Sequence, residues 1–197
     1  MSSIVERVIQ DEKERRSNAI DMFRPTEYQE QFLRRFAEDG PVEFLVGGGN
    51  RSGKTTCVAV AVASMLLNHP MTMRDGTKLH MRPERWRNEP IKCWVVAFDW
   101  RHVGKTIWRV LFKPDLFRVI RDQKTGRWRA WDPSNEQDKG LFKITRPSPP
   151  LIRMTNVIDG MTGISWMDKK ERQISACTLT DGTRIDRKST RLNSSHT

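Results

Sequence analysis

Cysteine is scarce in this chain. Cys57, Cys93 and Cys177 are all it has, and no two share a C-x-x-C or other paired spacing. That argues against a disulfide framework or a cysteine-based zinc site. Two of the three lie in apolar runs, which predicts buried, reduced thiols of the kind a cytosolic protein carries. The four histidines, His69, His80, His102 and His196, form no ligand cluster. No apolar run approaches the roughly 20 residues that a membrane span needs, and the charged N-terminus does not read as a signal peptide. No internal repeat is visible. Acid is the scarcer charge: 35 Lys and Arg face 24 Asp and Glu, a formal +11. Such an excess suits a polyanionic partner, nucleic acid above all. The 197 residues are enough for one domain with a sizeable core.

What is present is a phosphate-binding motif. Gly48-Gly49-Asn50-Arg51-Ser52-Gly53-Lys54-Thr55 meets the pattern G-x-x-x-x-G-K-[ST] at every fixed position. Before it, Val42-Glu43-Phe44-Leu45-Val46 has the length and residue types of a strand. After it, Cys57 to Leu67 is long and apolar enough for three helical turns. Strand, glycine-rich loop and helix are the context the chemistry requires. Glycines let backbone N–H groups turn inward around a β-phosphate, and the positive end of the following helix adds to that field. Lys54 is placed to reach the β- and γ-phosphates, and the Thr55 hydroxyl to sit on Mg²⁺. The predicted site runs from Gly48 to Thr56 and takes ATP with Mg²⁺.

Upstream, Ile4 to Phe23 reads as an amphipathic or partly free helix that leans on the domain or a partner, with Ile4, Val5, Val8 and Ile9 on a face and Pro25 ending it. Thr26 is the predicted N-cap of the next helix, with Gln29 three residues on as in a capping box. Tyr28, Phe32 and Phe36 fall on one face there and predict a buried aromatic stripe. Gln29 lies about twenty residues before the loop. Its carboxamide carries one donor and one acceptor, so it either pairs with adenine N6 and N7 or serves as the capping-box residue. His69 to Pro90 reads as a long polar loop, Lys92 to Phe98 as a buried strand and Val103 to Phe112 as a helix stopped by Pro114. From Lys124 onward Trp128 and Trp131, Phe142 and Ile144, Ile164 and Trp166, and Ile174 to Leu179 read as short strands. Thr125-Gly126, Asp159-Gly160 and Asp181-Gly182 are the turns between them. The order predicts an α/β three-layer sheet with a β-rich excursion.

Pro25-Thr26-Glu27-Tyr28-Gln29, an apolar strand, and then Gly48-Gly49-Asn50-Arg51-Ser52-Gly53-Lys54-Thr55-Thr56 together resemble the large terminase subunit of tailed bacteriophages. The Asn50-Arg51 pair inside the loop is the distinguishing part. Trp94 to Ala97 and Asp181 to Ile185 fit the family's ordering, so the resemblance spans roughly Pro25 to Ile185. It implies a P-loop NTPase domain that drives double-stranded DNA into a capsid, followed in the family by an RNase H-like nuclease domain. It also implies a portal protein and a small terminase subunit as partners, a homo-oligomeric ring, and the cytoplasm of an infected bacterium. Within the family the loop arginine is proposed to act on the γ-phosphate, which gives Arg51 a catalytic role beside Lys54. A structural ion pair is the other reading of Arg51. A superfamily 2 helicase also joins a glutamine element to a phosphate loop, but it usually shows an early Asp-Glu-x-[Asp/His] strand that is missing here. A nucleotide-gated DNA-binding module without hydrolysis is the non-enzyme alternative.

Hydrolysis needs an acidic pair, Asp for magnesium and Glu to orient water. Trp94 to Asp99 ends in Asp but Trp100 follows, and Asp168 is followed by Lys169-Lys170. By the family's ordering the pair is expected beyond Ile185, with Asp99 as the alternative magnesium ligand. Asp186 to His196 resembles the in-frame translation of a short-read sequencing adapter. Residues 186–197 are therefore expected to be foreign to the fold and not to pack on it, leaving Ile174 to Ile185 at a broken sheet boundary. Without them the charge is still +9. The expected organisation is a charged helix over 1–24, a partial ATPase domain over 25–185, incomplete at its C-terminus, and a tail. Two triplets, Arg85-Trp86-Arg87 and Arg127-Trp128-Arg129, combine charge with a stacking face. They read as nucleic-acid contacts or as half-buried tryptophans with arginines around them.

Overall fold

The computed structural model describes residues 4–15, 18–38, 53–97 and 100–189. In chain order these form α1 (Ile4–Arg15), α2 (Ala19–Met22), α3 (Glu27–Phe36), α4 (Lys54–Leu67), β1 (Met71–Thr72), β2 (Lys78–Leu79) and β3 (Lys92–Ala97). After them come α5 (Trp100–Ile107), β4 (Arg118–Arg121), β5 (Trp128–Ala130), β6 (Arg146–Pro147), β7 (Ile164–Asp168), β8 (Gln173–Thr178) and β9 (Arg184–Ser189). The architecture is mixed α/β, with a β1-β2 hairpin, a β5-β4-β6 sheet and a β3-β9-β8-β7 sheet. The predicted strand Val42 to Val46 lies outside the described residues. Among those described, no helix is long and apolar enough to cross a membrane.

The chain separates into two units. Unit one joins Met1–Pro83 to Lys113–Leu151, and unit two joins Glu84–Phe112 to Ile152–Thr197. In unit one the expected single helix over Ile4 to Phe23 is two. Asn18 adopts an extended conformation and its Oδ1 accepts the Ile20 N–H at 2.9 Å, which starts α2 afresh. Burial follows α2: Ala19, Ile20, Met22 and Phe23 are buried, whereas Val5, Val8 and Ile9 of α1 are exposed. The aromatic stripe of α3 is also corrected. Leu33 is the buried residue, and Tyr28 is 83% exposed.

His69 to Pro90 is no bare loop. Met71↔Leu79 and Thr72↔Lys78 pair across a turn that Gly76 makes at φ +85°. Met71, Met73 and Met81 are buried there, since unbranched side chains fill irregular gaps. The strand expected around Phe142 and Ile144 is instead a 3-10 turn over Leu141–Ile144. Gly140 enters it at φ +79°, and the Thr145 hydroxyl donates to the Phe142 carbonyl, closing the turn.

In unit two β3 and β9 run parallel, with Cys93↔Ile185 and Ala97↔Ser189, and β8 pairs antiparallel with both β9 and β7. Helix α5 packs on β3, β8 and β9. It comes so close to β8 that a Cβ on Gly104 would lie 2.8 Å from the Ile174 carbonyl oxygen. A π-helical turn, Trp108–Phe112, prolongs α5, so Val103 to Phe112 is helical as expected. β3 was expected to be fully buried, but Trp94 and Val96 are 58% and 50% exposed. Among the described strands it lies at the sheet's edge, and these two side chains leave one of its faces exposed.

The expected end of packing at Ile185 is corrected as well. β9 continues to Ser189, with Asp186 opposite Trp94 on one side and Ala176 on the other. The Asp186 carboxylate accepts from Arg184 at 3.0 Å and lies 3.4 Å from the Lys92 ammonium. β9 is interior, and among the described strands β3 and β7 are the outer ones. Residues 190–197 lie outside the described part.

Candidate phosphate-binding site

Helix α4 begins at the motif's invariant lysine. Gly53 is its N-cap at φ +76°, ψ 12°, a left-handed conformation that favours glycine. Gly53 has no side chain to cap with, so α4 opens on backbone N–H groups at its positive end. Lys54 and Thr56 are half-buried there, and Thr55 is exposed. Behind them the helix is held from several sides: Cys57, Ala59, Val60, Ala61, Ala63, Ser64 and Leu66 are all buried. Small residues let its neighbours approach and leave the N-terminus on a rigid element.

Gln29 reaches this point from α3. Its Oε1 accepts the Thr26 N–H at 2.9 Å and its own N–H donates to Thr26 Oγ1 at 3.4 Å, which completes the capping box. Its Nε2 donates to the Gly53 carbonyl at 3.4 Å. The same carbonyl accepts the Cys57 N–H at 2.9 Å, the first helical bond of α4. Of the two roles open to Gln29, the capping box is present, and the amide rests on the motif's last glycine. A Cβ on Gly53 would lie 2.7 Å from Gln29 Nε2 and would move that flexible amide aside, so φ is what requires glycine and the bond to Gln29 is what its absence would disturb.

The far end of α4 has a brace that sequence reasoning missed. Asn68 ends the helix in the left-handed conformation. Arg82, only 2% exposed, donates from Nε to the Met65 carbonyl at 2.8 Å and from its terminal nitrogen to the Leu66 carbonyl at 2.7 Å. A buried guanidinium at the negative end of a helix satisfies carbonyls that α4 cannot pair itself. Only the conjunction Met81-Arg82-Pro83, a cation among apolar residues, hinted at it.

The other predicted residues divide. Gly48, Gly49, Asn50, Arg51 and Ser52 lie outside the described residues, as does Asp99. Asp168 accepts the Glu171 N–H at 2.9 Å and serves the β7-β8 turn. Among the described residues no group of three or more His, Cys, Asp and Glu could hold a metal ion. Thr55 is the described candidate ligand for magnesium. In the first triplet Arg85 lies 4.6 Å from the Trp86 ring centre, and Trp86 is 45% exposed. In the second, Arg129 is structural. It holds Asp138 through two bonds of 2.6 and 2.7 Å and Asp122 through one of 2.8 Å. Burial raises all three thiol pKa values, those of Cys57 and Cys177 to about 11.

No protein-family model, curated protein or solved structure matches the chain. The functional reading therefore rests on the residues and their geometry.

Proposed function

We propose that the chain is the N-terminal, ATP-binding part of a viral DNA-packaging motor of the terminase large-subunit type. In this reading the full-length protein is a P-loop NTPase that couples ATP hydrolysis to movement of double-stranded DNA, while this chain binds ATP and hydrolyses it poorly. The observation that carries this is the junction at Gly53. The motif's glycine, lysine and threonine open a rigid helix, and the upstream Thr26-Gln29 element is docked on that glycine. The left-handed Gly53 and the uncapped helix N-terminus suit a polyphosphate, and the exposed Thr55 hydroxyl suits a magnesium ion, a hard cation that takes oxygen ligands. In this assignment Gly48 to Gly53 cradle phosphates through their backbone, Lys54 holds the β- and γ-phosphates, and Thr55 and Thr56 contribute hydroxyls. Arg51 stabilises charge on the γ-phosphate. Reading adenine would require Gln29 to give up its bond to the Thr26 N–H, so the capping box and the base compete for one oxygen. Portal protein, small subunit, ring assembly and the host cytoplasm belong to the same proposal.

Titration with a fluorescent ATP analogue in the presence of magnesium tests it. Lys54→Ala is expected to weaken binding about tenfold or more, because the charge-assisted bond to phosphate can no longer form. Unchanged affinity would overturn the assignment. A docked glutamine suits a superfamily 2 helicase equally. DNA-stimulated phosphate release without strand separation favours the packaging reading over that one.

A further inference from the structure

A cleft of about 830 Å³ opens within unit one between the end of α2, the β1-β2 hairpin and the β4-β5 hairpin. Arg24, Lys78, Arg121 and Arg127 line it, against a single carboxylate, that of Asp21. Asp21 is already engaged, 2.9 Å from His69 Nε2 and 4.0 Å from the Lys78 ammonium. The cations are held in place by the backbone. Arg24 donates to the Asp21 and Phe23 carbonyls at 2.7 and 2.9 Å, and Arg121 donates to the Gly126 carbonyl at 2.9 Å. Arg127 is exposed and pairs with no carboxylate among the described residues. Loss of hydration lowers the Arg24 pKa. Asp21 opposes that shift, while the like charges of Arg129 and Arg127 add to it. Arg129 is neutralised by Asp122 and Asp138 and adds no free cation to the cleft, whose candidate phosphate contacts are Arg24, Lys78 and Arg127.

Several guanidinium and ammonium groups set along one trough match a row of phosphates better than a single acid. The half-buried Trp128 also lines the trough and adds an aromatic ring beside the cations. A base in a duplex has both faces covered by its neighbours, so only an unpaired base can use that ring. The volume lies within the ~300–1,000 Å³ of sites that enclose a ligand of a few rings, which admits a short run of single strand. We propose that this cleft binds single-stranded nucleic acid, with Arg24, Lys78 and Arg127 on phosphates and Trp128 against an unpaired base. It is a second site, separate from the Gly53-Lys54 junction, and it does not depend on the ATP reading.

The test uses the full chain, a fluorescein-labelled ten-thymidine oligonucleotide, a blunt duplex and inorganic pyrophosphate, followed by anisotropy. The oligonucleotide is expected to bind, and to weaken steeply between about 50 and 200 mM salt through counterion release. Lys78→Glu with Arg127→Glu changes two surface residues and leaves the core intact. It is expected to weaken binding tenfold or more and to lower the slope of log affinity on log salt by about 1.4, roughly 0.7 for each phosphate no longer neutralised. Trp128→Leu is expected to weaken the oligonucleotide about fivefold or more and to leave pyrophosphate unaffected. Lys54→Ala is expected to leave oligonucleotide binding at the parent value, which separates this site from the ATP site. Parent affinity and slope in the double-charge variant would overturn the proposal. So would preference for the duplex, or pyrophosphate binding as tightly as the oligonucleotide with no effect of Trp128→Leu, which marks a simple phosphate site.

Discussion

Single residues govern both ends of the phosphate-loop helix. At its start, Gly53 combines a left-handed backbone with the approach of Gln29. Gly53→Ala is therefore expected to cost about 1–2 kcal/mol in a urea melt and to push Gln29 off the Gly53 carbonyl. At its other end, Arg82→Met keeps the volume but removes the Arg82 donor from the Leu66 carbonyl and leaves the Met65 carbonyl to the Asn68 N–H at 3.3 Å. We expect a loss of about 2–4 kcal/mol, read in the same melt. A change below about 0.5 kcal/mol would show that water replaces the guanidinium. Neither position stands out equally in the sequence. Gly53 belongs to a motif, whereas Arg82 lies in a polar stretch and becomes a cap only because folding carries it sixteen residues back along the chain to Leu66.

At the scale of elements, the β4-β5 hairpin is tied by charge. Arg129 bonds to Asp138, which is buried, and to Asp122. The Arg129 guanidinium is the main cause holding both carboxyls below their usual range, helped at Asp122 by the Thr125 and Lys124 N–H groups. Depressed folded-state pKa values give stability that is full above the unfolded value near ~3.9 and drains as pH falls through the folded values. Urea midpoints should hold from pH 7 to about 5 and then drop. Arg129→Met is expected to cost about 3 kcal/mol or more at pH 7, because Asp138 is left buried and uncompensated, and to flatten the acid limb. An acid limb unchanged in the variant would move the acid sensitivity elsewhere. In the other sheet, β9 is the strand that pairs with β3 among the described residues. A chain ending at Ile185 loses the rungs from Trp94↔Asp186 to Ala97↔Ser189. It should melt several degrees below a chain ending at Ser189. Equal melting temperatures would return Asp186 to Ser189 to the status expected of a foreign tail.

For the whole molecule, the division into two units can be read through the thiols. Cys57 is buried in unit one and Cys177 in unit two, and each has its pKa pushed up to about 11 by burial. The thiolate is the reactive form, so both should alkylate far more slowly at pH 8 than a free peptide thiol. Cys177 pairs with Ile185 in the β8-β9 ladder. Ending the chain at Thr183, which removes β9, is thus expected to expose Cys177 to iodoacetamide while Cys57 stays protected, as peptide mass mapping would show. Equal exposure of the two would mean that the units unfold as one. The net charge of +11 bears on partners at this scale, but it cannot say where they bind. Of the two arginine-tryptophan triplets, the second supplies Arg127 and Trp128 to the cleft while its own Arg129 is consumed by carboxylates.

The sequence by itself determined what depends on neighbours along the chain. The helix after the phosphate motif, the Thr26-Gln29 capping box, and the glycine turns at Gly126, Gly160 and Gly182 were legible because periodicity, capping chemistry and positive φ act over a few residues. Tertiary structure alone decided the rest. An apolar pattern marks Val5, Val8 and Ile9 as it does Ile20 and Met22, yet only the latter meet a partner surface among the described residues. Polar Asp186 to Ser189 carry no strand pattern, yet they pair because β3 offers open ladder groups along all four and β8 offers them at Asp186. The basic cleft is likewise invisible in one dimension. Its cations come from the segment after α2, from β2 and from the β4-β5 hairpin, about a hundred residues apart between Arg24 and Arg127, and only folding collects charges so distant into one electrostatic field.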